Sequence, residues 1–194
     1  GNGDQPSTDV AVDPIDGTVN FLYDIPAWAV SIGVVEGAPD PATWTAIAGC
    51  VVNPVLGEVF TAVRGQGAFL GDERIQVSGA TDLALSLVGT GFAYSAETRR
   101  IQAAVVTDLI GQTRDVRRIG SAALDLCSVA AGRLDAYYER GLSPWDHAAG
   151  ALIAAEAGAR VTGLAGAPAT RDFMLAATPD IAEALEAALV AAGV

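Results

Sequence analysis

A short segment with two aspartates, residues 13–18, follows an apolar run and constrains the chain more than any other stretch. Pro14 has a fixed φ and disfavours helical backbone at Asp13, so the preceding strand is predicted to end at Asp13. Gly17 allows a tight turn or the close approach of a ligand. A helical turn that starts near Thr18 would direct its free N–H groups back toward the two carboxylates.

The composition of this segment indicates a cation site. Carboxylates lie beside phosphate-binding amides only when cations separate them, and Mg²⁺ favours one or two carboxylates with waters and phosphate oxygens. Asp13, Asp16 and the hydroxyl group of Thr18 are therefore candidate site residues. The alternative is that Asp16 caps a helix and Asp13 belongs to a solvated turn.

The charge balance argues against several classes of function. The chain has 11 basic and 23 acidic residues, a formal net charge of −12, and every basic residue is an arginine. A Walker-type P-loop needs a lysine, and non-specific nucleic-acid binding needs many cationic side chains, so we expect neither a P-loop nor a nucleic-acid partner. An acidic protein that binds an anionic substrate needs local positive charge, which Mg²⁺ and helix N-termini supply.

The cysteine and histidine content and the hydropathy of the chain bear on disulfides, zinc binding and the cellular compartment. Cys50 and Cys127 lie in apolar surroundings and are predicted to be small buried hydrophobes rather than a disulfide. A single histidine argues against a zinc site of the His/Cys type. We find no signal-peptide pattern and no apolar run long enough to cross a bilayer, so we expect a cytoplasmic protein with no membrane partner.

The order of the predicted elements favours the α+β class. With 194 residues, of which 51% are hydrophobic and 18% charged, we predict one globular domain over residues 1–194. Its first lobe, 1–78, is rich in antiparallel strands, and its second lobe, 79–194, alternates strands and helices. Predicted strands cover residues 10–12, 28–35, 45–52, 58–63, 68–70, 85–88, 115–119, 136–138, 160–162 and 174–177. Predicted helices cover residues 97–110, 122–131, 145–157 and 179–192.

Two strings far apart in the chain resemble signatures of one family. Residues 13–21, D-P-I-D-G-T-V-N-F, resemble the first signature of the inositol monophosphatase family of Mg²⁺-dependent, lithium-sensitive phosphatases. Residues 145–150, W-D-H-A-A-G, resemble its W-D-x-A-A-G motif, and the resemblance also covers residues 120–125 and 135–139. It implies a layered αβαβα sandwich of the sugar-phosphatase type, bound Mg²⁺, a homodimer and a small phosphorylated polyol as substrate.

The resemblance also implies roles for individual residues. Asp13 would bridge two cations, with the main-chain carbonyl of Ile15 and the carboxylates of Asp16 and Asp146 as further ligands. Asp16 and Thr18 would be catalytic, Thr18 by orienting the metal-activated water that attacks phosphorus. The implied substrate-binding set is Asp16, Gly17, Thr18, Gly120, Ser121, Ala122, Glu139 and Asp146.

Several of these positions have simpler explanations from the residues alone. Asp146 lies in the first turn of a predicted helix, where it would compensate the helix dipole. Ser121 would be an ordinary N-cap rather than part of a phosphate site, and Glu139 an exposed glutamate at a strand end. His147 is predicted to be packed or to support the site indirectly. No role is assigned to the basic cluster Arg114, Arg117 and Arg118.

The sequence departs from the family pattern at its start. The family's first metal ion is also held by a Gly-Glu-Glu segment upstream of the first signature, whereas residues 1–12 contain Asp4 and Asp9 but no glutamate. We therefore expect that this chain lacks its N-terminal helical segment. The alternative is a protein without part of its first metal site.

The favoured function is Mg²⁺-dependent hydrolysis of inositol 1-phosphate to inositol and phosphate. Related enzymes share both signatures, so histidinol phosphate, or another small sugar or nucleotide phosphate, is the alternative substrate. A catalytically impaired regulatory or binding protein that retains the fold is the alternative of another class. The missing glutamates favour this alternative, whereas Asp13, Asp16, Thr18 and Asp146 oppose it.

Overall fold

The computed structural model describes residues 7–194, which form two β-sheets and five α-helices. The polar, Gly/Pro-containing residues 1–7 are predicted to form a loop, and all of them except Ser7 lie outside the described residues. Among residues 7–194, no helix combines the length and the apolar character that crossing a bilayer requires.

The first sheet has six strands in chain order, and each pairs antiparallel with the next, as predicted. Its strands are β1 (Thr8–Asp16), β2 (Ala29–Glu36), β3 (Thr45–Asn53), β4 (Glu58–Val63), β5 (Gly67–Leu70) and β6 (Glu73–Ile75). β6 was not predicted, because two of its three residues, Glu73 and Arg74, are charged and give no apolar run.

The second sheet has five strands in the order β10-β11-β9-β7-β8. They are β7 (Leu87–Thr90), β8 (Asp115–Arg117), β9 (Ala136–Glu139), β10 (Arg160–Thr162) and β11 (Met174–Ala177). β7 pairs parallel with β8 and β9, whereas β11 pairs antiparallel with β9 and β10. The helices are α1 (Thr18–Leu22), α2 (Ala96–Leu109), α3 (Ala122–Ala130), α4 (Pro144–Glu156) and α5 (Pro179–Ala191). The four longer helices lie where they were predicted.

Helices α3 and α4 lie between the two sheets, and α2 and α5 cover the opposite face of the second sheet. Alternate residues of β9 show this arrangement. Tyr137 belongs to the core around α3 and α4, whereas Ala136 and Tyr138 belong to the core that includes α2 and α5. The layers formed by residues 7–194 therefore follow the order β-α-β-α, which agrees with the predicted sandwich.

The face of the first sheet that points away from α4 is mostly apolar, and its side chains are exposed or half-buried in the described residues. Three cross-strand rows form it: Val10, Val34, Ala48 and Val63; Val12, Ile32, Cys50 and Thr61; and Val30, Val52 and Val59. An antiparallel sheet with one solvated face normally alternates apolar and polar side chains. Here Val10 is 59% exposed and Val12 is 48% exposed. The first sheet therefore has the composition of a sheet that is covered on both faces.

Two glycines bring α4 against the other face of this sheet. A Cβ atom on Gly33 would lie 2.8 Å from the Cβ atom of Ala148, and one on Gly49 would lie 3.0 Å from the Cα atom of Ala149. A side chain at either position would therefore push the helix away. This close contact fixes the first turn of α4, which carries Asp146, beside the end of β1.

The predicted end of the first strand is wrong. β1 continues to Asp16 instead of ending at Asp13. Pairing with β2 is regular up to Asp13, shifts, and resumes at Asp16. Pro14 cannot donate to the ladder, but a strand accommodates a proline at an irregularity of this kind.

The strand predicted to start at Leu85 starts two residues later, at Leu87. A short 3₁₀ helix occupies Leu83–Leu85, because the carboxylate of Asp82 caps it by accepting a hydrogen bond from the N–H of Ala84. This connection follows the proposed boundary between the lobes at residue 78, and the division into lobes stays a prediction.

Candidate metal centre and active site

Asp16 lies at the end of β1, against the N-terminus of α3. Ser121 Oγ donates a hydrogen bond to Asp16 Oδ2 over 2.5 Å, and the backbone N–H of Ala123 donates to the same oxygen over 2.8 Å. Ser121 is also the N-cap of α3, because its hydroxyl accepts a hydrogen bond from the N–H of Leu124. Burial raises the pKa of Asp16 to about 6 despite these donors. The helix terminus thus holds this carboxylate in one orientation.

The irregularity in β1 brings Asp13 to the same side as Asp16. Residues three apart in a regular strand point to opposite faces, but the pairing shift between Asp13 and Asp16 re-aims one of them. Asp13 Oδ1 accepts a hydrogen bond from the N–H of Ile15 over 3.0 Å, and the Ile15 carbonyl accepts one from Thr18 Oγ1 over 3.0 Å. These contacts link both aspartates to the turn that follows.

That turn depends on Gly17, whose φ is +90°. A Cβ atom there would lie 3.0 Å from the carbonyl oxygen of Ala27 and 3.2 Å from that of Gly120. Asn20, buried in α1, donates hydrogen bonds to the carbonyl oxygens of Ala27 over 2.7 Å and Ile119 over 2.9 Å. Asn20 therefore links the loop before α3 to the segment of residues 13–18 through these hydrogen bonds. This role was not predicted for Asn20.

Asp146 supplies the third carboxylate from the first turn of α4. It forms a capping box with Ser143, whose N–H donates to Asp146 Oδ2 over 2.6 Å. It also approaches the other two aspartates, because one oxygen each of Asp13, Asp16 and Asp146 lie within 4.8 Å of one another. Burial raises the pKa of Asp146 to about 7, and the charges of Asp16 and Asp13 add to this effect. Asp146 therefore both caps α4 and belongs to the cluster of three carboxylates.

This donor set fits a hard divalent cation. Three carboxylates at this spacing repel one another unless a cation lies between them, and oxygen ligands of this kind suit Mg²⁺. Asp13, Asp16 and Asp146 would hold the ion, and Ile15, which borders the same cavity, offers its carbonyl oxygen.

The candidate residues all line one cavity of about 710 Å³. Its lining includes every predicted metal, catalytic and substrate-binding residue: Asp13, Ile15, Asp16, Gly17, Thr18, Gly120, Ser121, Ala122, Glu139 and Asp146. The volume lies in the range of small-molecule sites. Three stretches far apart in sequence therefore contribute to one place on the molecule.

Glu139 borders the cavity at the end of β9. It is half-buried, so the explanation of an exposed strand-end glutamate is wrong. The hydroxyl group of the buried Tyr137 donates a hydrogen bond to Glu139 Oε2, and a Cβ atom on Gly91 would overlap this carboxylate. Burial raises the pKa of Glu139 to about 7, which the Tyr137 hydroxyl and the Arg118 guanidinium oppose.

Four charged residues that border the cavity were not predicted: Arg118, Asp125, Arg140 and Arg171. Arg118 lines it, whereas its neighbour Arg117 forms an ion pair with Asp115. Asp125, in the first turn of α3, is 1% exposed and also borders the cavity. The sequence signal that could have identified Asp125 as a cavity residue is helical spacing, because Asp125 lies one turn after Ser121 on the same face of α3.

His147 is a packed side chain, in agreement with its prediction. It is 2% exposed, and its ring centre lies 6.0 Å from that of Trp44. Burial lowers the pKa of His147 to about 4, so the imidazole is neutral. Cys50 and Cys127 are free thiols, as predicted, and Cys127 is buried while Cys50 is half-buried.

Comparison with known proteins gives a consistent result. The chain matches the model of the Inositol monophosphatase family over residues 3–193. It is 52% identical over 185 residues to the inositol-1-monophosphatase of Mycobacterium bovis, with 92% of this chain and 61% of that protein covered. It is 44% identical over 175 residues to the Nus factor SuhB of Pasteurella multocida, with 88% and 62% covered. The chain therefore spans about three fifths of the length of these relatives.

Solved structures confirm the predicted fold. SuhB of Mycobacterium tuberculosis matches with a TM-score of 0.85 and 49% identity, covering 96% of this chain and 73% of that one. The IMPase of Thermotoga maritima matches with a TM-score of 0.86 and 30% identity, covering 99% and 72%. The two sequence signatures, the family match and these structures agree, and the chain belongs to the inositol monophosphatase family.

Proposed function

We propose that this protein is a Mg²⁺-dependent phosphomonoesterase that hydrolyses inositol 1-phosphate to inositol and phosphate. The main support is the approach of Asp13, Asp16 and Asp146 to within 4.8 Å of one another at the cavity. The Mycobacterium bovis relative is named an inositol-1-monophosphatase. Because the chain spans about 61% of that relative, catalysis by the complete protein is part of the proposal.

In this proposal Asp13, Asp16, Asp146 and the Ile15 carbonyl hold the metal. When bound, Mg²⁺ polarises the phosphoryl group and makes water a better nucleophile. Asp16 is already oriented by the donors from α3, so its carboxylate does not have to reorganise when the ion binds. The loss of repulsion among the three carboxylates favours binding further.

Thr18 orients the attacking water in the proposed reaction. Its hydroxyl, exposed at the start of α1, donates to the Ile15 carbonyl over 3.0 Å. That bond uses the hydroxyl proton, so an Oγ lone pair accepts a hydrogen bond from water in the cavity. Gly17, Gly120 and Glu139 line the same cavity and would contact the substrate. Ser121, Ala122, Asp16 and Asp146 complete the proposed substrate-binding set.

The test is phosphate release by the full-length protein from inositol 1-phosphate and from histidinol phosphate, with and without Mg²⁺. We expect metal-dependent release with a preference for inositol 1-phosphate. A preference for histidinol phosphate would support the phosphomonoesterase activity but contradict inositol 1-phosphate as the preferred substrate. No release from either ester would contradict the proposed activity.

A second candidate is a regulatory or binding protein that retains the fold. The relatives named Nus factor SuhB, one of them 44% identical, favour this candidate. Inactivity in the phosphate-release assay, together with a folded protein that still binds Mg²⁺, would favour it over catalysis. The net charge of −12 supports the proposal that nucleic acid is not a direct partner.

We also propose a cytoplasmic homodimer, on the basis of the family resemblance. Light scattering on the full-length protein tests the oligomeric state. A monomer at micromolar concentration would contradict the dimer without affecting the proposed chemistry.

A further inference from the structure

Three arginines border the cavity along one edge of the second sheet. The parallel strands β7, β8 and β9 end at this edge, and the antiparallel strand β11 begins there. Arg118 follows β8, Arg140 follows β9, and Arg171 lies three residues before β11. Neighbouring strands are about 5 Å apart, and β7 separates β8 from β9. Arg140 and Arg171 therefore extend neighbouring strands, whereas Arg118 lies two strands from Arg140.

Two hydrogen bonds hold the segments of Arg140 and Arg171 side by side. The N–H of Gly141 donates to the carbonyl oxygen of Arg171 over 2.7 Å. Arg140 Nε donates to the carbonyl oxygen of Asp172 over 3.0 Å. Asp172 thus contributes its main chain to this contact, and the terminal nitrogen atoms of Arg140 are not used by it. The two arginines are placed next to each other by the backbone.

Neither arginine has an acidic partner. Within residues 7–194, ion pairs occupy Arg117, Arg133 and Arg160, but no carboxylate oxygen lies within 4.0 Å of the Arg140 or Arg171 guanidinium. This is notable in a chain with 23 acidic residues and 11 arginines. Two neighbouring guanidinium groups favour an anion between them, and their forked donors match the oxygen atoms of a phosphate group.

The arginine pair and the three carboxylates are separated by the length of a small molecule. Arg140 lies three residues before Ser143, whose N–H donates to Asp146 over 2.6 Å. Three residues span at most about 11 Å. One cavity of about 710 Å³ contains both groups, so a ligand with a phosphate group at each end can reach the carboxylates and the arginines together.

We propose that Arg140 and Arg171 bind a second phosphate group of the substrate, opposite the phosphate that is hydrolysed. The protein then acts on bisphosphates of ring polyols and prefers them to the monoesters of the same ring. The inference depends on the proposed function, because the first phosphate group is placed at the carboxylates of that site.

The experiment compares inositol 1,4-bisphosphate with inositol 1-phosphate, which differ by one phosphate group, as substrates of the full-length protein. In Arg140→Gln and in Arg171→Gln, the ratio of kcat/KM for the bisphosphate to kcat/KM for the monoester should fall about tenfold to hundredfold, because a charge-assisted hydrogen bond is lost. Arg140→Lys keeps the charge but not the fork, so its ratio should fall less than that of Arg140→Gln.

Arg114→Gln is the matched control. Arg114 is exposed and does not line the cavity, so this variant makes the same change in net charge away from the proposed second phosphate. The substrate ratio should equal that of the wild-type protein.

An unchanged ratio in both Arg140→Gln and Arg171→Gln would overturn the inference, even if both substrates react more slowly. A wild-type protein that hydrolyses inositol 1-phosphate but not the bisphosphate would also overturn it, and either result would leave the proposed function intact. Hydrolysis of the bisphosphate alone would support the second phosphate site and contradict inositol 1-phosphate as the substrate. Hydrolysis of neither ester would overturn both proposals.

Discussion

Ser121 holds Asp16 across 105 positions of the chain, through a hydrogen bond of 2.5 Å between Oγ and Oδ2. The bond joins the last residue of β1 to the N-cap of α3, and the N–H of Ala123 supports the same oxygen. The direction of one proposed metal ligand is therefore set by the packing of α3 between the sheets.

Ser121→Ala should weaken Mg²⁺ binding about tenfold to hundredfold, because it removes the donor that orients Asp16. Isothermal titration with Mg²⁺ measures the change without reference to turnover. Ser128→Ala, in the same helix, is the control and should bind Mg²⁺ like the wild-type protein. Equal affinities in the two variants would mean that Ser121 does not support the metal site.

Asp13→Asn should abolish detectable turnover and weaken Mg²⁺ binding by more than roughly hundredfold. A loss of up to about hundredfold is typical when a residue that only supports a metal ligand is removed. The reason is that a proposed direct ligand loses its charge. Asp9→Asn is the control, because Asp9 is exposed on the same strand. A chelator should abolish turnover in the wild-type and control proteins, and added Mg²⁺ should restore it. Full activity of Asp13→Asn would remove Asp13 from the site.

The stability of the metal-free protein should fall as the pH rises from about 4 to about 7. Burial raises the pKa of Asp16 to about 6 and that of Asp146 to about 7, whereas aspartates of an unfolded chain titrate near about 3.9. Between these values the two carboxyl groups bind more protons in the folded than in the unfolded state, so their deprotonation lowers the free energy of unfolding. The lowered pKa of His147 acts in the opposite direction over the same pH range, but the two carboxyl shifts together are larger.

Mg²⁺ should therefore raise the melting temperature more at about pH 8 than at about pH 5, because only the ionised carboxylates bind it. Thermal unfolding with and without Mg²⁺ at both pH values provides the measurement. In Asp146→Asn the difference between the two pH values should shrink. The same Mg²⁺ effect at both pH values would contradict the raised pKa of these carboxyl groups.

His147 should stay neutral through the physiological pH range. Burial lowers its pKa to about 4, and because the chain has one histidine, NMR follows its imidazole signal directly. His147→Gln should keep the shape of the pH–rate profile. A titration midpoint between about 6 and 7 would indicate an ordinary exposed imidazole and contradict the packing.

Gly49→Val should destabilise the fold by about 1–3 kcal/mol, because its side chain overlaps α4. A Cβ atom at Gly49 would already lie 3.0 Å from the Cα atom of Ala149. Mg²⁺ affinity should fall as well, since Asp146 moves with the helix. Denaturant unfolding and Mg²⁺ titration measure the two effects. Gly111→Val is the control, because a Cβ atom there has nothing within 4 Å. Unchanged Mg²⁺ affinity in Gly49→Val would show that this contact does not position Asp146.

The sequence predicted the features whose chemistry is local. The spacing of Asp13 and Asp16 around a proline and before Gly17 is enough to indicate a cation site, and Gly17 does adopt a positive φ. The start of α3 followed from Ser121, which was considered as its N-cap and does cap the helix.

Features that depend on distant contacts could not be predicted. Nothing near Asp125 indicates that it borders a cavity, because its position depends on how α3 packs against β7. Arg118 and Arg117 are adjacent and identical in type, yet one lines the cavity and the other pairs with Asp115. Only the path of the backbone after β8 separates them.

The separation of the three carboxylates along the chain has a consequence for synthesis on the ribosome. Asp13 and Asp16 emerge with the first sheet, whose strands within residues 7–194 pair with their neighbours in sequence and can form early. Asp146 emerges much later and reaches them only after α4 has packed on that sheet. If the proposed metal site is correct, the nascent first sheet would form without the ion, and Mg²⁺ would bind only after α4 has been synthesised and packed.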